Sequence, residues 1–339
     1  MLHRFIITLL AIILTIPISA LGQEEEQVVS EWGERHIDFS IIPFAGYTSG
    51  HTSYRMDYPL PDDIPAVPGD TVFIASELNF PLNSFSAGLG IRLSSMLGDR
   101  EDWALKLSLQ KTVTQPSGDM IDDDWITVLN GYDGQFSHTE SDANGSILQV
   151  DFGLNKFFIH GEKIWVGLQG GIRYQKIKQD IDNFTGWWFD ADNDTTYLQS
   201  YSGAQALTYE VTYTMPYAGL IATYFASRNL SLTGSAAFAR VTAKDEDDHL
   251  LRFKLSTAEG SGDGLIAGLS LEHVIKGTPN GNSVYWGIDG NLFTAKISTD
   301  QIQTWYEGAT ELPVGTAIPA PHDITSTQYH INLRVGIRL

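Results

Sequence analysis

From Tyr329 to Leu339 the chain alternates without a break. Tyr329, Ile331, Leu333, Val335, Ile337 and Leu339 are apolar, and His330, Asn332, Arg334, Gly336 and Arg338 between them are not. Period two is the spacing of a β-strand, whose side chains point in turn to its two faces. A strand patterned this way needs an apolar medium on one side and a polar one on the other. The same alternation recurs along the chain. Trp103, Leu105, Leu107 and Leu109 alternate with Ala104, Lys106, Ser108 and Gln110, and Leu265, Ala267, Leu269 and Leu271 alternate with small or polar neighbours. About ten such segments can be marked, near 35–55, 71–96, 101–116, 140–160, 162–182, 203–226, 229–247, 249–276, 281–298 and 325–339. They are long beside the usual strand of about 5–6 residues.

The connections alternate in length. "LGDRED", "HGE", "ASRN" and "KGTPNG" are short turns, while the stretches around 56–70, 115–140, 182–202, 246–262 and 299–324 are long and polar. Long loops at one end and short turns at the other are the pattern of an outer-membrane barrel, whose long loops are extracellular. A soluble β-sandwich is the competing fold, but it gives no reason for a strand to stay apolar on one face to its last residue. The sequence therefore predicts an all-β fold, a ten-stranded antiparallel transmembrane β-barrel of the bacterial outer membrane. Closing the sheet also removes the unpaired edges that lipid forbids.

The N-terminus fits export. His3 and Arg4 precede an apolar run from Phe5 to Ser19, and Ala20, Leu21 and Gly22 offer small residues for cleavage before Gln23. The run falls short of the roughly 20 residues of a spanning helix, so residues 1–22 read as a signal peptide and 23–339 as a single barrel domain with five long extracellular loops. There is no cysteine, which excludes disulfides and thiolate metal sites. The formal net charge of −20 argues against nucleic acid as a partner and for cationic ones.

Strand phase picks out candidate chemistry. In the segment near 229–247, Leu230, Leu232, Ala236 and Phe238 share the lipid face, so odd positions face inward. Asp245, Asp247 and His249 in "AKDEDDHLL" are odd and would enter the barrel mouth. Asp247 and His249 are side by side on one face, and a carboxylate beside an imidazole is a general-base arrangement. An acidic loop tip that keeps the protein soluble explains the stretch as well. "MIDDDW", residues 120–125, lies in a loop on the same rim. Even positions face inward there, if the phase survives Pro116 and Gly118, and that set includes Asp122 and Asp124. Two carboxylates this close can share a proton, but a plain acidic loop again fits the motif. "DADND" at 190–194 lacks the glycine and glutamate of a calcium loop, and the histidines show no zinc spacing, so no metal site is expected. Trp187 and Trp188 read as interfacial anchors.

Three stretches in order, "MIDDDW" at 120–125, "MPYAGL" at 215–220 and "DEDDHLLR" at 245–252, resemble the omptin family of outer-membrane aspartyl proteases. The likeness covers roughly residues 37–339. It implies an endopeptidase at the extracellular barrel mouth of a Gram-negative outer membrane. Asp122 and Asp124 would form an aspartate couple, opposite the pair Asp247 and His249, with a water between them. His249 would take the water's proton while Asp247 orients the ring, and Asp122 would help hold the water. The resemblance also implies cationic peptide or protein substrates. Asp245 matches one acid of the substrate pocket, whereas Tyr54 stands where a second acid belongs. It further implies a need for lipopolysaccharide, with Tyr174 and Lys178 at matching positions and Lys176 beside them where an acid is usual. No other cofactor is expected, and the protein should act as a monomer. Tyr54, and Thr212 at an expected arginine, keep open a second reading, an inactive barrel of the same fold serving as adhesin or structural protein. A small pore ranks last, because side chains fill so narrow a lumen.

Overall fold

A computed structural model describes residues 35–59, 73–97, 100–116, 118–129, 132–190, 193–277, 282–310 and 312–339. The expected signal peptide lies outside these residues. Twelve strands form one antiparallel sheet. In chain order they are β1 (Arg35–Pro59), β2 (Phe73–Pro81), β3 (Ser84–Leu97), β4 (Arg100–Thr112), β5 (Asp119–Leu129) and β6 (Tyr132–His160). Then come β7 (Ile164–Asp190), β8 (Thr195–Ser227), β9 (Leu230–His249), β10 (Lys254–Gly277), β11 (Ser283–Trp305) and β12 (Ala317–Arg338).

The pairing closes on itself. It runs from β1 through β3, β4 and β6 to β12 in sequence, and β12 pairs back to β1. The seam holds to its end, since Leu339 N–H donates to Phe39 O at 2.8 Å. β2 and β5 are inserted at one end of this circuit. β1 pairs β3 up to Thr48↔Ser84 and β2 from His51↔Pro81 onward. Gly50, at φ 121°, sits where the partner changes, a conformation glycine adopts at little cost. β2 in turn pairs β5, which pairs β6.

Among the described residues the strand count is therefore twelve, where about ten segments were expected. The segment near 71–96 is broken at Leu82, whose side chain turns fully inward. The stretch 115–140, expected to be a loop, holds β5 and the start of β6; the break before it contains Pro116 and Gly118, the latter at φ 119°. The stretches 182–202, 246–262 and 299–324 are also mostly strand. β7 runs to Asp190, β8 starts at Thr195, and β9 ends at His249 five residues before β10 starts at Lys254.

Two levels differ in what they bury. At the lower level the outer face is apolar and exposed: Ile37, Phe39 and Ile41 on β1, Leu107 and Leu109 on β4, Leu168 and Ile172 on β7, and Ile331, Leu333, Val335 and Ile337 on β12. An uninterrupted apolar girdle of this kind suits lipid and would be a liability in water. No helix among the described residues is long and apolar enough to cross a membrane, which says nothing of a β-barrel. Inside this level the lining is ionic around a cavity of about 390 Å³. Arg334 bonds Glu272 at 2.9 Å and Asp289 at 3.0 Å, and Arg173 bonds Asp151 at 2.6 Å.

At the upper level the interior is apolar. Tyr54, Leu78, Phe80, Leu82, Ile177, Ile181, Tyr209, Val211, Tyr213, Met215, Val241, Phe293 and Ile297 form one packed cluster across the lumen. Phe80 stacks on Tyr209 with ring centroids 4.1 Å apart and 7° between planes. Such a pair adds roughly 0.5–1.5 kcal/mol to its area burial. This cluster is the floor on which the acidic residues stand.

Candidate active site

The period-two phase holds to the ends of the strands that carry the acids. On β9, Val241, Ala243, Asp245 and Asp247 are buried and the even positions are more open. On β5, Met120 and Ile126 are buried, so Asp122 and Asp124 lie on the same inward face. The phase thus survives Pro116 and Gly118. Cross-strand register places Asp247 beside Tyr209 of β8 and Ser256 of β10, and His249 beside Leu207 and Lys254. Asp122 lies between Leu78 of β2 and Thr139 of β6.

His249 Nε2 lies 2.9 Å from Asp247 Oδ2, with both side chains largely buried. The contact is ionic in distance but off hydrogen-bond geometry, since Nε2 has no hydrogen-bond partner. Tyr54, fully buried on β1, donates its hydroxyl to the same Oδ2. Burial would raise the Asp247 pKa, but His249, the Tyr54 hydroxyl and Lys254 outweigh it and hold the carboxyl below its usual value. Asp122 goes the other way. Burial, then Asp124, then Asp247 push its pKa well above the carboxylate range, against the pull of Lys254 and Arg252. His249 is lowered, by burial first and by Lys254 and Arg252, despite Asp247. The shifts favour Asp247 as the anion, His249 as the neutral imidazole and Asp122 as the protonated acid. Asp122 Oδ1 and Asp247 Oδ1 are buried with no hydrogen-bond partner, and the buried His249 Nε2 has its ion-pair contact with Asp247. Buried polar atoms are seldom left without a hydrogen bond.

The other expected residues are placed as follows. Asp124 Oδ2 accepts from Ser137 Oγ at 2.6 Å. Asp245 is buried and bonded to His322 Nε2 at 2.8 Å. Burial raises the Asp245 carboxyl, against the effect of His322. The His322 ring lies 4.9 Å from that of Tyr54, so Asp245, His322 and Tyr54 form a second polar layer directly beneath Asp247. Glu246, between Asp245 and Asp247, is exposed, whereas Asp248 accepts from Tyr306 OH at 2.8 Å. Tyr174, Lys176 and Lys178 point outward on β7, away from this site. Both lysines pair with Glu210, Lys178 at 2.6 Å.

Trp187 and Trp188 do not sit at the apolar girdle. They lie near the far end of β7, where Trp187 stacks on His138 at 6.4 Å and Trp188 on Tyr197 at 4.8 Å. The anchor expectation is corrected accordingly. At the "DADND" stretch, Asp190 caps a turn by accepting from Asn193 Nδ2 at 2.7 Å, and no metal-ligand cluster occurs among the described residues.

Sequence reasoning missed four contributors: Lys254, His322, Ser137 and Tyr209. His322 was within reach, because the even, inward phase of His330 and Asn332 extends back to it. Lys254 follows His249 across a tight turn and is buried opposite it.

The Omptin family model matches residues 71–282 of this chain. Among solved structures, the outer membrane protease OmpT from Escherichia coli superposes with a TM-score of 0.70, covering 89% of this chain and 97% of that one at 16% identity. At that identity the likeness speaks for the fold alone. The outer membrane protein OprG from Pseudomonas aeruginosa (TM-score 0.32, 12% identity, 91% of this chain and 98% of that one) is too distant to carry an argument. The same holds for the translocator domain of autotransporter NalP from Neisseria meningitidis (TM-score 0.33, 10% identity, 92% and 90%). No curated protein matches.

Proposed function

We propose, from the premise that this chain belongs to the omptin family, that it is an outer-membrane endopeptidase of omptin type. The apolar girdle crosses the outer membrane of a Gram-negative bacterium as a barrel with ten strands around its lipid-facing circuit. The site opens to the outside. A water bound between the β5 and β9 acids attacks the peptide carbonyl. Neutral His249 takes the water's proton, and ionised Asp247 stabilises the imidazolium that forms. Protonated Asp122 donates to the developing oxyanion, and Asp124 holds the couple in place from its bond to Ser137. The proton on His249 then passes to the leaving amine. The new C–O bond to water forms first, and the C–N bond breaks as the tetrahedral species collapses, so no acyl-enzyme arises.

The observation that carries this reading is the inward pair His249 and Asp247, 2.9 Å apart on β9, with Asp122 of β5 under the influence of the same carboxylate and its buried Oδ1 without a hydrogen bond. The acidic mouth favours cationic peptides through its field. Asp245 and Tyr54 are the residues through which the substrate side chain would be selected, although both already have partners within the protein. Lipopolysaccharide would activate the enzyme from outside, through Tyr174, Lys176 and Lys178, its phosphates displacing Glu210 from the lysines. The protein would work as a monomer.

The test is turnover by detergent-refolded protein with added lipopolysaccharide against a library rich in basic peptides. Cleavage should be lost in Asp124→Ala and His249→Ala, and in ¹⁸O-labelled water the new carboxyl should carry the label. If folded protein with normal heat-modifiable gel mobility cleaves nothing in the library, the inactive adhesin or structural barrel is the better reading.

A further inference from the structure

The rim of the ring is stepped. β9 and β8 pair up to His249↔Leu207, and Leu250 N–H then donates to Ala206 O at 3.0 Å. Beyond that point β8 continues to Thr195, paired with β7 on one side. Among the described residues no strand pairs its other side over 195–205. A strand edge presents a row of N–H and C=O groups ready to pair with another chain, and proteins usually guard such edges with charge, proline or a covering segment.

This edge lacks the usual residue guards. Its sequence, "TTYLQSYSGAQ", contains no charged residue and no proline. Its side chains are open to solvent, Leu198 at 87% exposure being the highest among the large hydrophobic residues described. The contrast with β12 is direct. β12 loses its β1 partner above Met56↔His322, and there it carries Pro319 and Pro321.

We propose that the free edge of β8 at 195–205 receives the polypeptide substrate as an added strand. The proposal rests on the protease reading. A chain paired to this edge lies about 4.8 Å from β8, on the track that β9 vacates at His249. Its lower end therefore arrives over the inward-facing imidazole. Main-chain bonds would supply affinity without reading sequence, as in other strand-addition complexes, and the acidic floor would select charge. A second copy of the protein is the competing occupant. Continuity with His249 favours the substrate.

The probe is a peptide of about ten residues, long enough to span the edge, carrying a central Lys–Arg pair. It is bound to the His249→Ala protein in detergent with lipopolysaccharide. Hydrogen exchange should slow at 195–205. A scan placing one N-methyl group at each peptide position should weaken binding about two- to tenfold at alternate positions only, the worth of one hydrogen bond each. Wild-type turnover is measured alongside. Turnover without protection at 195–205, or an N-methyl scan with no period of two, overturns the proposal and leaves proteolysis standing. Protection without wild-type turnover overturns proteolysis and leaves the binding edge. Absence of both overturns both. Concentration-dependent dimerisation that protects 195–205 with no peptide present assigns the edge to a second copy and overturns the proposal.

Discussion

Asp122 and Asp247 are both inward-facing aspartates with a buried, unpartnered Oδ1, yet their surroundings drive them apart. Asp247 has a donor in Tyr54 and a basic side chain at ion-pair distance in His249, so it is held ionised. Asp122 has a second carboxylate beside it and a third acting on it, and its carboxyl is pushed up. One residue type is thus favoured as an anion on one strand and as a protonated acid on another. Titratable groups pushed in opposite directions are how one site performs acid and base chemistry at a single pH.

The largest way to break this contrast is to remove the base between them. His249→Ala should lower kcat on a cleavable peptide by about 10²–10⁴-fold, the usual worth of a general base, with folding intact by circular dichroism. Next is the donor that keeps Asp247 ionised. Tyr54→Phe removes a hydrogen bond to a charged group, worth about 1.5–3 kcal/mol. That corresponds to roughly a 10- to 100-fold fall in kcat with KM little changed, read by steady-state kinetics; an equal rise in KM would return Tyr54 to a substrate-contact role. Asp122→Asn fixes the neutral form. It should cost about tenfold at neutral pH, within the range of one oxyanion donor or less. It should also abolish the alkaline limb of the pH–rate profile, the limb on which an acid with a raised pKa loses its proton. The smallest effect is at Lys254, which lowers His249 and Asp247 together. Lys254→Met should move the acid limb of the kcat/KM profile to higher pH, since the imidazole then binds its proton more readily. An unmoved limb would mean that His249 is not the group titrating there.

Much of the lower level was legible from the chain alone. Hydrophobic alternation reports a strand with lipid on one face and a polar lumen on the other, as from Tyr329 to Leu339. Above the girdle the outer face is wet, and the signal disappears although the strands continue. The run "YDGQFSHTESDANGS" at 132–146 is therefore strand, yet it has the composition of a loop. The inward phase of Asp245, Asp247 and His249 could be carried up from Leu230 because β9 has no bulge along the way. His322 escaped because Pro319 and Pro321 look like the end of a strand; they are tolerated where β12 has lost its β1 partner and owes no bond on that side. The Tyr54 contact that helps hold Asp247 ionised crosses the ring between residues far apart in sequence, as does that of His322 with Asp245 beside it. No local pattern announces them.

The seam between β1 and β12 has a consequence in time. Its bonds join Phe39 to Leu339, so the ring cannot shut until nearly the whole chain is available. Closing so large a loop is slow, because its entropy is lost before the contacts that reward it are made. Until then two strands stand with open edges that lipid will not tolerate. The site shares that schedule, since Tyr54 belongs to β1, His322 to β12 and Asp247 to β9. The geometry that joins Tyr54, His322 and Asp247 can exist only after β12 has docked on β1.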